Sequence, residues 1–188
     1  LNDDPPKIVV KKALTSLKKS DLENIVGKER DRALYEALAK KRVQLVGKRC
    51  FDVALSTILL VLLSPAFLVL AIAVKLDSPG PVFYRQERVT QYGKRFRIFK
   101  FRTMCDRADQ MGSAVTTGGD ARVTRVGAKI RDYRLDEISQ LIDILRGTMT
   151  FVGTRPEVPR YVEGYTPEMM ATLLLPAGVT STASIQFK

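Results

Sequence analysis

The chain has 188 residues and a formal net charge of +11, from 31 Lys and Arg against 20 Asp and Glu, and it contains no histidine. This length suits one globular unit with an appendage, and the charge predicts partners that carry phosphate: nucleotides, nucleic acid or an anionic membrane surface. The absence of histidine excludes Ser-His-Asp and Cys-His catalysis and His-ligated zinc, so the chemistry falls to carboxylates, lysines or the metals they hold. Cys50 and Cys105 lack CxxC spacing, which favours a reducing setting without a zinc site.

Residues 1–47 are predicted to form a polar, helical N-terminal accessory region. Ser20 and Glu23 have the S-x-x-E spacing of a capping box, which opens a short helix. A second helix is predicted over about 28–46, because leucines recur on a modest apolar face among many charges. An amphipathic accessory element and a solvated helical linker fit this pattern equally well.

The segment from Val53 to Val74 contains 22 residues without a charge. As one straight helix it would extend about 33 Å, so a single membrane span is the simplest interpretation. However, Ser64-Pro65 lies in its middle, where proline removes a backbone hydrogen bond and kinks a helix. Lysines and arginines also flank both ends, and the positive-inside rule draws both ends toward the cytoplasm. We therefore predict a re-entrant membrane hairpin over residues 48–76, broken at Ser64-Pro65.

Residues 77–188 are predicted to form a globular domain beside this hairpin. The turn "DSPGP" precedes a short aromatic strand, and then phenylalanines alternate with bases that include Lys100 and Arg102. This alternation holds charge on a structured surface and predicts a phosphate site, although a solvated strand face and a nucleic-acid platform use the same residue types. Because no G-x-x-x-x-G-K-[ST] or G-x-G-x-x-G motif occurs, a nucleotide must be held by arginines and metal.

The adjacent acids Asp136 and Glu137 stand out within this basic domain. Apolar residues recur at helical spacing around them, which predicts one amphipathic helix from Arg131 to Arg146. Neighbours on a helix differ by about 100° in direction, so one acid can face a reacting centre while the other faces a metal or a base. An acid pair that only complements a helix dipole is the alternative. Because the surrounding surface is basic and the chain has no histidine, we favour a chemical role for both acids.

Four blocks then resemble one known family: "KRCFDVALSTILLVLLSP", "FYRQERVTQYGKRFRIFKFRTM", "DARVTRVGAKIRDYRLDEISQLIDILRGTMTFVGTRPE" and "PAGVTSTASI". Together they are similar to the bacterial sugar transferases, the monotopic phosphoglycosyl transferases, from about residue 48 onward. The resemblance implies transfer of a sugar-1-phosphate from a UDP-sugar to a polyprenyl phosphate with release of UMP. It places the family's membrane-hairpin break on Ser64 and Pro65 and its Asp-Glu pair on Asp136 and Glu137. The family's Pro-Arg-Pro is Thr154-Arg155-Pro156 here, which keeps the arginine.

The resemblance also implies roles for individual residues. Asp136 would attack the sugar-bearing phosphorus and form a covalent phosphosugar intermediate, and Glu137 would orient a metal or the incoming phosphate. Mg²⁺ is the expected cofactor, with Asp136 and Glu137 as its ligands. Lys100, Arg102 and Arg155 would neutralise phosphate oxygens, and surface charge is the alternative for the first two of these.

The expected whole is a mostly helical α/β protein with a minor sheet, monotopic in the membrane, with interfacial helices beside the hairpin. We expect a UDP-sugar, polyprenyl (undecaprenyl) phosphate and membrane lipids as partners, no nucleic acid, and possible homo-oligomers. The location would be the inner membrane, with residues 77–188 forming a catalytic domain on the cytoplasmic face. A non-catalytic membrane scaffold and a membrane-tethered nucleic-acid binder are the rival classes; neither would release UMP.

Overall fold

The computed structural model describes residues 36–38, 40–108, 111, 120–181 and 186. The capping box predicted at Ser20 and Glu23 lies outside these residues, as do residues 28–35 and 39 of the helix predicted over about 28–46. The described part of that helix is helical at 36–38, 40 and 42–46. The first complete helix, α1 (Arg42–Leu62), begins within the predicted accessory region and continues without interruption into the uncharged segment.

A second helix, α2 (Ser64–Asp77), follows α1 after the single residue Leu63 and is bent from it by 62°. Pro65 lies in the first turn of α2, where its missing N–H leaves no helical hydrogen bond unmade. The Ser64 hydroxyl donates to Val61 O at 2.8 Å and so satisfies a carbonyl at the end of α1. The predicted break at Ser64-Pro65 is confirmed. In the described part of the chain no single helix is long and apolar enough to cross a membrane, whereas the bent pair meets both criteria together.

The predicted aromatic strand is the first half of an antiparallel hairpin, β1 (Phe83–Val89) and β2 (Arg95–Phe101). The connecting turn contains a short 3₁₀ helix, Gln91–Gly93. Phe101 at the end of β2 is buried, and its ring contacts Phe67 of α2 with centroids 5.4 Å apart. This edge-to-face contact packs the strand hairpin against the second half of the helical pair.

The predicted single helix from Arg131 to Arg146 is wrong, because three elements occupy this part of the chain. Helix α3 (Arg125–Asp132) ends before Arg134, which adopts a left-handed conformation with φ 53°. A 3₁₀ helix (Leu135–Gln140) follows, and then α4 (Leu141–Arg146). Apolar residues three positions apart share a face in both α and 3₁₀ helices, so the sequence pattern did not distinguish the two helix types.

The rest of the domain forms a second small sheet with short helices between its strands. Strands β3 (Met149–Val152) and β4 (Ala177–Thr180) are parallel. Between them lie α5 (Pro159–Val162), α6 (Pro167–Met170) and a 3₁₀ helix, Ala171–Leu174. The described fold is therefore mostly helical with two two-stranded sheets, as the predicted α/β class with a minor sheet requires.

Helix α1 is joined to this domain by apolar and polar contacts. The buried core residues Ile98, Leu141, Ile144 and Met149 pack against leucines from the end of α1. Earlier in α1, Asp52 is 3% exposed and accepts a hydrogen bond of 2.6 Å from the Thr150 hydroxyl of β3. Arg49 donates to Ile144 O and to Leu145 O at the end of α4. The helical pair and the domain thus form one packed unit.

Candidate active site

The 3₁₀ helix Leu135–Gln140 carries both acids of the predicted site. Asp136 and Glu137 lie in its first turn, directly after the left-handed Arg134. Their side chains are 17% and 16% exposed, so both carboxylates are largely buried yet reach solvent. Because a 3₁₀ helix has three residues per turn, the two acids differ by about 120° in direction instead of the 100° predicted.

Two cations hold this acid pair. Lys100 on β2 places its ammonium 3.0 Å from Glu137 Oε1 and 3.8 Å from Asp136 Oδ2. The guanidinium of Arg155 donates to Glu137 Oε1 at 2.6 Å. Glu137 therefore has two cationic partners, Lys100 and Arg155. Asp136 is paired with Lys100 alone in this cluster, at the longer distance of 3.8 Å. We call Lys100, Asp136, Glu137 and Arg155 the acid-pair cluster.

The surroundings drive the pKa values of the two carboxyls in opposite directions. Burial raises the pKa of Asp136; the charge of Lys100 opposes this rise and that of Glu137 adds to it. Burial also acts to raise the pKa of Glu137, but Lys100 and Arg155 outweigh it, so this pKa lies below its ordinary value. Titratable groups whose pKa values are driven apart are suited to different chemical roles.

Side chains from the acid-bearing segment hold the outer edge of β2 and so position Lys100. The Ser139 hydroxyl donates to Phe99 O at 3.0 Å, and Asp143 of α4 accepts from Phe99 N at 2.8 Å. Asp143 is 1% exposed, and burial raises its pKa against the opposing hydrogen bond from Phe99. These contacts satisfy edge groups of a strand that would otherwise lack partners. Sequence reasoning missed Ser139 and Asp143, because only the fold shows what they contact.

The loop that carries Arg155 is tied to β1 and β4. Arg88 of β1 donates to Pro156 O at 3.0 Å, and Val89 N donates to Glu157 O at 2.9 Å. Gly178 of β4 donates its N–H to Thr154 O at 2.8 Å. Hydrogen bonds on both sides of Arg155 thus fix the direction from which it reaches Glu137. The role of Arg88 was not predicted, since nothing distinguishes it from neighbouring bases in the sequence.

The structure does not bring Arg102 to the acid-pair cluster. Arg102 is 4% exposed, and its guanidinium donates to Ser78 O at 2.7 Å and Pro79 O at 2.9 Å. Gly80 lies against the same guanidinium, with no room there for a Cβ atom. These contacts favour a structural role in the turn after α2. The phosphate role predicted for Arg102 stays a prediction without support from this geometry.

The donor set of the cluster fits one way of holding magnesium. Within the described ranges, no group of three or more His, Cys, Asp or Glu side chains is placed to bind a metal ion. Mg²⁺ is commonly held by one or two carboxylates, with substrate phosphates and water completing its shell. Asp136 and Glu137 supply two such carboxylates, so they suit an ion that arrives with a diphosphate. Their predicted role as Mg²⁺ ligands is compatible with the site and stays a prediction.

Comparisons with known proteins point to one family. A family model described as "Bacterial sugar transferase" matches residues 43–188. The chain is 43% identical over 122 residues to the UDP-N-acetylgalactosamine-undecaprenyl-phosphate N-acetylgalactosaminephosphotransferase of Aeromonas hydrophila, covering 65% of this chain and 29% of that protein. It is 40% identical over 142 residues to the UDP-glucose:undecaprenyl-phosphate glucose-1-phosphate transferase of Caulobacter vibrioides, covering 74% and 53%.

A third relative, the exopolysaccharide production protein PSS of Rhizobium leguminosarum bv. phaseoli, is 43% identical over 114 residues, with coverage of 60% and 57%. The chain thus spans between 29% and 57% of the length of these three relatives. The family match includes α1 except its first residue, α2 and the whole acid-pair cluster. This chain belongs to the bacterial sugar transferase family.

Proposed function

We propose that this chain transfers a sugar-1-phosphate from a UDP-sugar to undecaprenyl phosphate and releases UMP, as the first membrane step in assembling a bacterial glycan. The names of two relatives describe undecaprenyl-phosphate sugar phosphotransferases, and one of those names specifies UDP-glucose. The observation that carries the proposal is the acid-pair cluster: two largely buried neighbouring carboxylates with different charge environments, bordered by Lys100 and Arg155.

In the first half of the reaction, a carboxylate oxygen of Asp136 attacks the phosphorus that bears the sugar. An Asp136–phosphorus bond forms, the bond from that phosphorus to the bridging oxygen breaks, and UMP leaves with the bonding electrons. A raised pKa makes a carboxylate a better nucleophile, which favours Asp136 over Glu137 for this role. In the second half, a phosphate oxygen of undecaprenyl phosphate attacks the same phosphorus and displaces Asp136, giving the lipid diphosphate sugar.

The other cluster residues neutralise and orient phosphate. Lys100 contacts both acids and lies where phosphate oxygens approach Asp136, and Arg155 presents a planar guanidinium that suits a phosphate. Glu137 holds both cations in place through its two short contacts. A Mg²⁺ ion held by Asp136 and Glu137 would neutralise charge on the diphosphate.

We also propose that the bent pair α1–α2 is a re-entrant hairpin, which makes the protein monotopic. Large apolar side chains near the bend, among them Val61, Leu62, Leu68 and Val69, are 63–68% exposed in the isolated chain. A lipid environment would bury them, because exposed apolar patches of this kind mark interaction surfaces. The catalytic domain would then lie on the cytoplasmic face of the inner membrane, with short interfacial helices beside it. We also propose that the protein can form a homo-oligomer there.

The test is UMP release from a panel of UDP-sugars with Mg²⁺ in detergent, with and without undecaprenyl phosphate. We expect one or a few sugars to support turnover, with ping-pong kinetics. With donor alone and rapid quenching, a phosphosugar mass should appear on a peptide that contains Asp136. Intersecting double-reciprocal lines together with no adduct would rule out the covalent route and leave the transferase proposal standing. No UMP from any donor would reject the transferase proposal.

A further inference from the structure

Two arginine side chains lie over the ring of Phe99 on β2. The guanidinium carbon of Arg85, from the neighbouring strand β1, is 3.4 Å from the ring centroid. That of Arg146, the last residue of α4, is 4.9 Å from the same centroid. Both distances allow cation–π attraction, which operates within about 6 Å. We call Arg85, Phe99 and Arg146 the Phe99 cluster.

The two positive charges of this cluster are not paired with acids. In the part of the chain that the structure describes, neither arginine forms a salt bridge. Burial lowers the pKa of Arg85; the charge of Asp143 opposes this and that of Arg146 adds to it. Asp143 is itself 1% exposed and accepts a hydrogen bond from Phe99 N. The two guanidinium carbons are at most about 8 Å apart, the sum of their distances to the centroid, so an anion at either arginine is attracted by both.

The Phe99 cluster adjoins the part of α1 that precedes the uncharged segment. Arg49 of α1 donates to Leu145 O at 2.9 Å, and Leu145 is the neighbour of Arg146. Arg49 comes four residues before Val53, where the uncharged segment begins, and this is about 6 Å of helix. The headgroup layer on each side of the hydrocarbon core is about 5–8 Å thick. With α1 and α2 inserted in a membrane, Arg49 and the end of α4 therefore lie at the level of the headgroups.

Exposed apolar side chains accompany these charges. Leu145 is 40% exposed, and Phe51, two residues after Arg49 on α1, is 60% exposed. The side chain of Arg146 is exposed as well. Basic and apolar side chains presented together are typical of surfaces that lie in the membrane interface.

We propose that the Phe99 cluster binds the phosphate of an anionic phospholipid headgroup, an assignment that rests on the proposed membrane arrangement of α1 and α2. Guanidinium groups donate paired hydrogen bonds to phosphate oxygens. A headgroup with its own ammonium brings a third positive charge to the two arginines, so a headgroup without one, such as that of phosphatidylglycerol, is preferred. Lys100 follows Phe99 on β2 and points to the opposite face of the strand. The bound lipid therefore lies apart from the acid pair.

Lipid binding to the whole chain in detergent tests this proposal independently of turnover. Native mass spectrometry counts the bound molecules in separate titrations with phosphatidylglycerol, phosphatidylcholine, undecaprenyl phosphate and glycerol phosphate, the last of which has the phosphate without the lipid. The test variants change one exposed residue: Arg146→Gln removes its charge, Arg146→Glu reverses the charge and Arg146→Lys keeps it. The matched control, Arg160→Gln, removes one charge at an exposed position of α5 outside the cluster.

Wild type should bind phosphatidylglycerol more tightly than phosphatidylcholine. Arg146→Gln should weaken phosphatidylglycerol binding about fivefold, the effect of one base at an anionic surface, and Arg146→Glu should weaken it further. Arg146→Lys should recover most of the loss, Arg160→Gln should match wild type, and phosphatidylcholine binding should not change. Equal binding of the two phospholipids, or an unchanged preference in Arg146→Gln and Arg146→Glu, would overturn the proposal.

The other two ligands identify the source of the phosphate. Glycerol phosphate that binds as tightly as phosphatidylglycerol would assign the cluster to a soluble anion, and a loss confined to undecaprenyl phosphate would assign it to the acceptor; either result rejects the phospholipid site. If wild type selects phosphatidylglycerol through Arg146 yet releases no UMP from any donor, the transferase proposal fails and the headgroup site stands. Turnover without the lipid preference leads to the reverse conclusion.

Discussion

Lys100 influences both acids of the cluster, because its ammonium lies 3.0 Å from Glu137 and 3.8 Å from Asp136. Its charge is what limits the rise in the pKa of Asp136 that burial causes. For Glu137, the same charge combines with Arg155 to lower the pKa. One cation therefore keeps the proposed nucleophile ionised and helps to keep its neighbour charged.

The pH dependence of activity should reflect the raised pKa of Asp136. Because this pKa lies above the ordinary 3.8, lowering the pH protonates Asp136 earlier than an exposed aspartate, and kcat/KM should fall through that raised value. Removing the charge in Lys100→Met should raise the pKa further and move the acid limb to higher pH. Lys94→Met, at an exposed position before β2, is the control. An acid limb that stays in place in Lys100→Met would contradict this assignment.

Asp136→Asn should abolish transfer while preserving the fold. The amide keeps the size of the side chain and removes the nucleophilic charge, so UMP release should fall by at least about a thousandfold. Because burial disfavours the charged form of Asp136, the melting temperature should stay the same or rise slightly. Mass spectrometry of the donor-treated variant should show no phosphosugar adduct. Retained turnover would exclude Asp136 as the nucleophile.

Among the elements, the loop from Gly153 to Glu157 depends on its neighbours to aim Arg155. Arg88 contacts this loop through Pro156 O and also donates to the Gln86 side chain, so it acts on Arg155 without touching the acids. We regard Arg88 as a positioning residue.

Arg88→Met should lower kcat/KM for the UDP-sugar by about threefold to tenfold, the effect of one lost hydrogen bond that orients the loop. Arg155→Ala should cost about tenfold or more, since it removes a charge-assisted contact itself. Arg88→Lys keeps a donor and should recover part of the loss, and Arg97→Met on the exposed part of β2 is the control. If Arg88→Met lowers only the melting temperature and leaves kcat/KM unchanged, the residue supports the fold alone.

The break between α1 and α2 should depend mainly on Pro65. Alanine restores a backbone donor and is about 3 kcal/mol more favourable than proline in a helix interior, so Pro65→Ala should straighten the pair. Accessibility labelling should then place residue 81 on the far side of the membrane. Ser64→Ala keeps the proline and should leave the topology unchanged. If residue 81 stays cytoplasmic in Pro65→Ala, contacts such as that between Phe67 and Phe101 hold the bend without the proline.

For the whole molecule, a re-entrant hairpin predicts that both ends of the helical pair lie on the same side of the membrane. Single cysteines introduced by Gln44→Cys and Pro81→Cys, with Cys50 and Cys105 replaced by serine, lie at exposed positions. Gly80 is unsuitable, because a side chain there would collide with Arg102. Both cysteines should react with a membrane-impermeant reagent only after the cytoplasmic face of the membrane is made accessible to it. Labelling from opposite sides would show a span and reject the monotopic arrangement.

The sequence by itself determined the features that depend on local chemistry. The helix break at Ser64-Pro65 follows from proline's missing donor, and the aromatic strand after "DSPGP" follows from turn residues beside β-forming residues. Asp136 and Glu137 were identified as candidates, and Lys100, Arg102 and Arg155 were predicted to neutralise phosphate beside them. The structure brings all of these side chains together except Arg102, which contacts Ser78 and Pro79.

Only the tertiary structure decided the features that depend on contacts between distant residues. Arg88 and Arg102 look alike in a basic stretch, yet one orients the Arg155 loop and the other is buried against Ser78 and Pro79. The acid-bearing segment is a 3₁₀ helix joined to β2 through Ser139, because a hydrogen bond to Phe99, 40 residues earlier, becomes available only in the folded chain. Local propensity describes the backbone near a residue, whereas the partner of a buried polar group is chosen by packing.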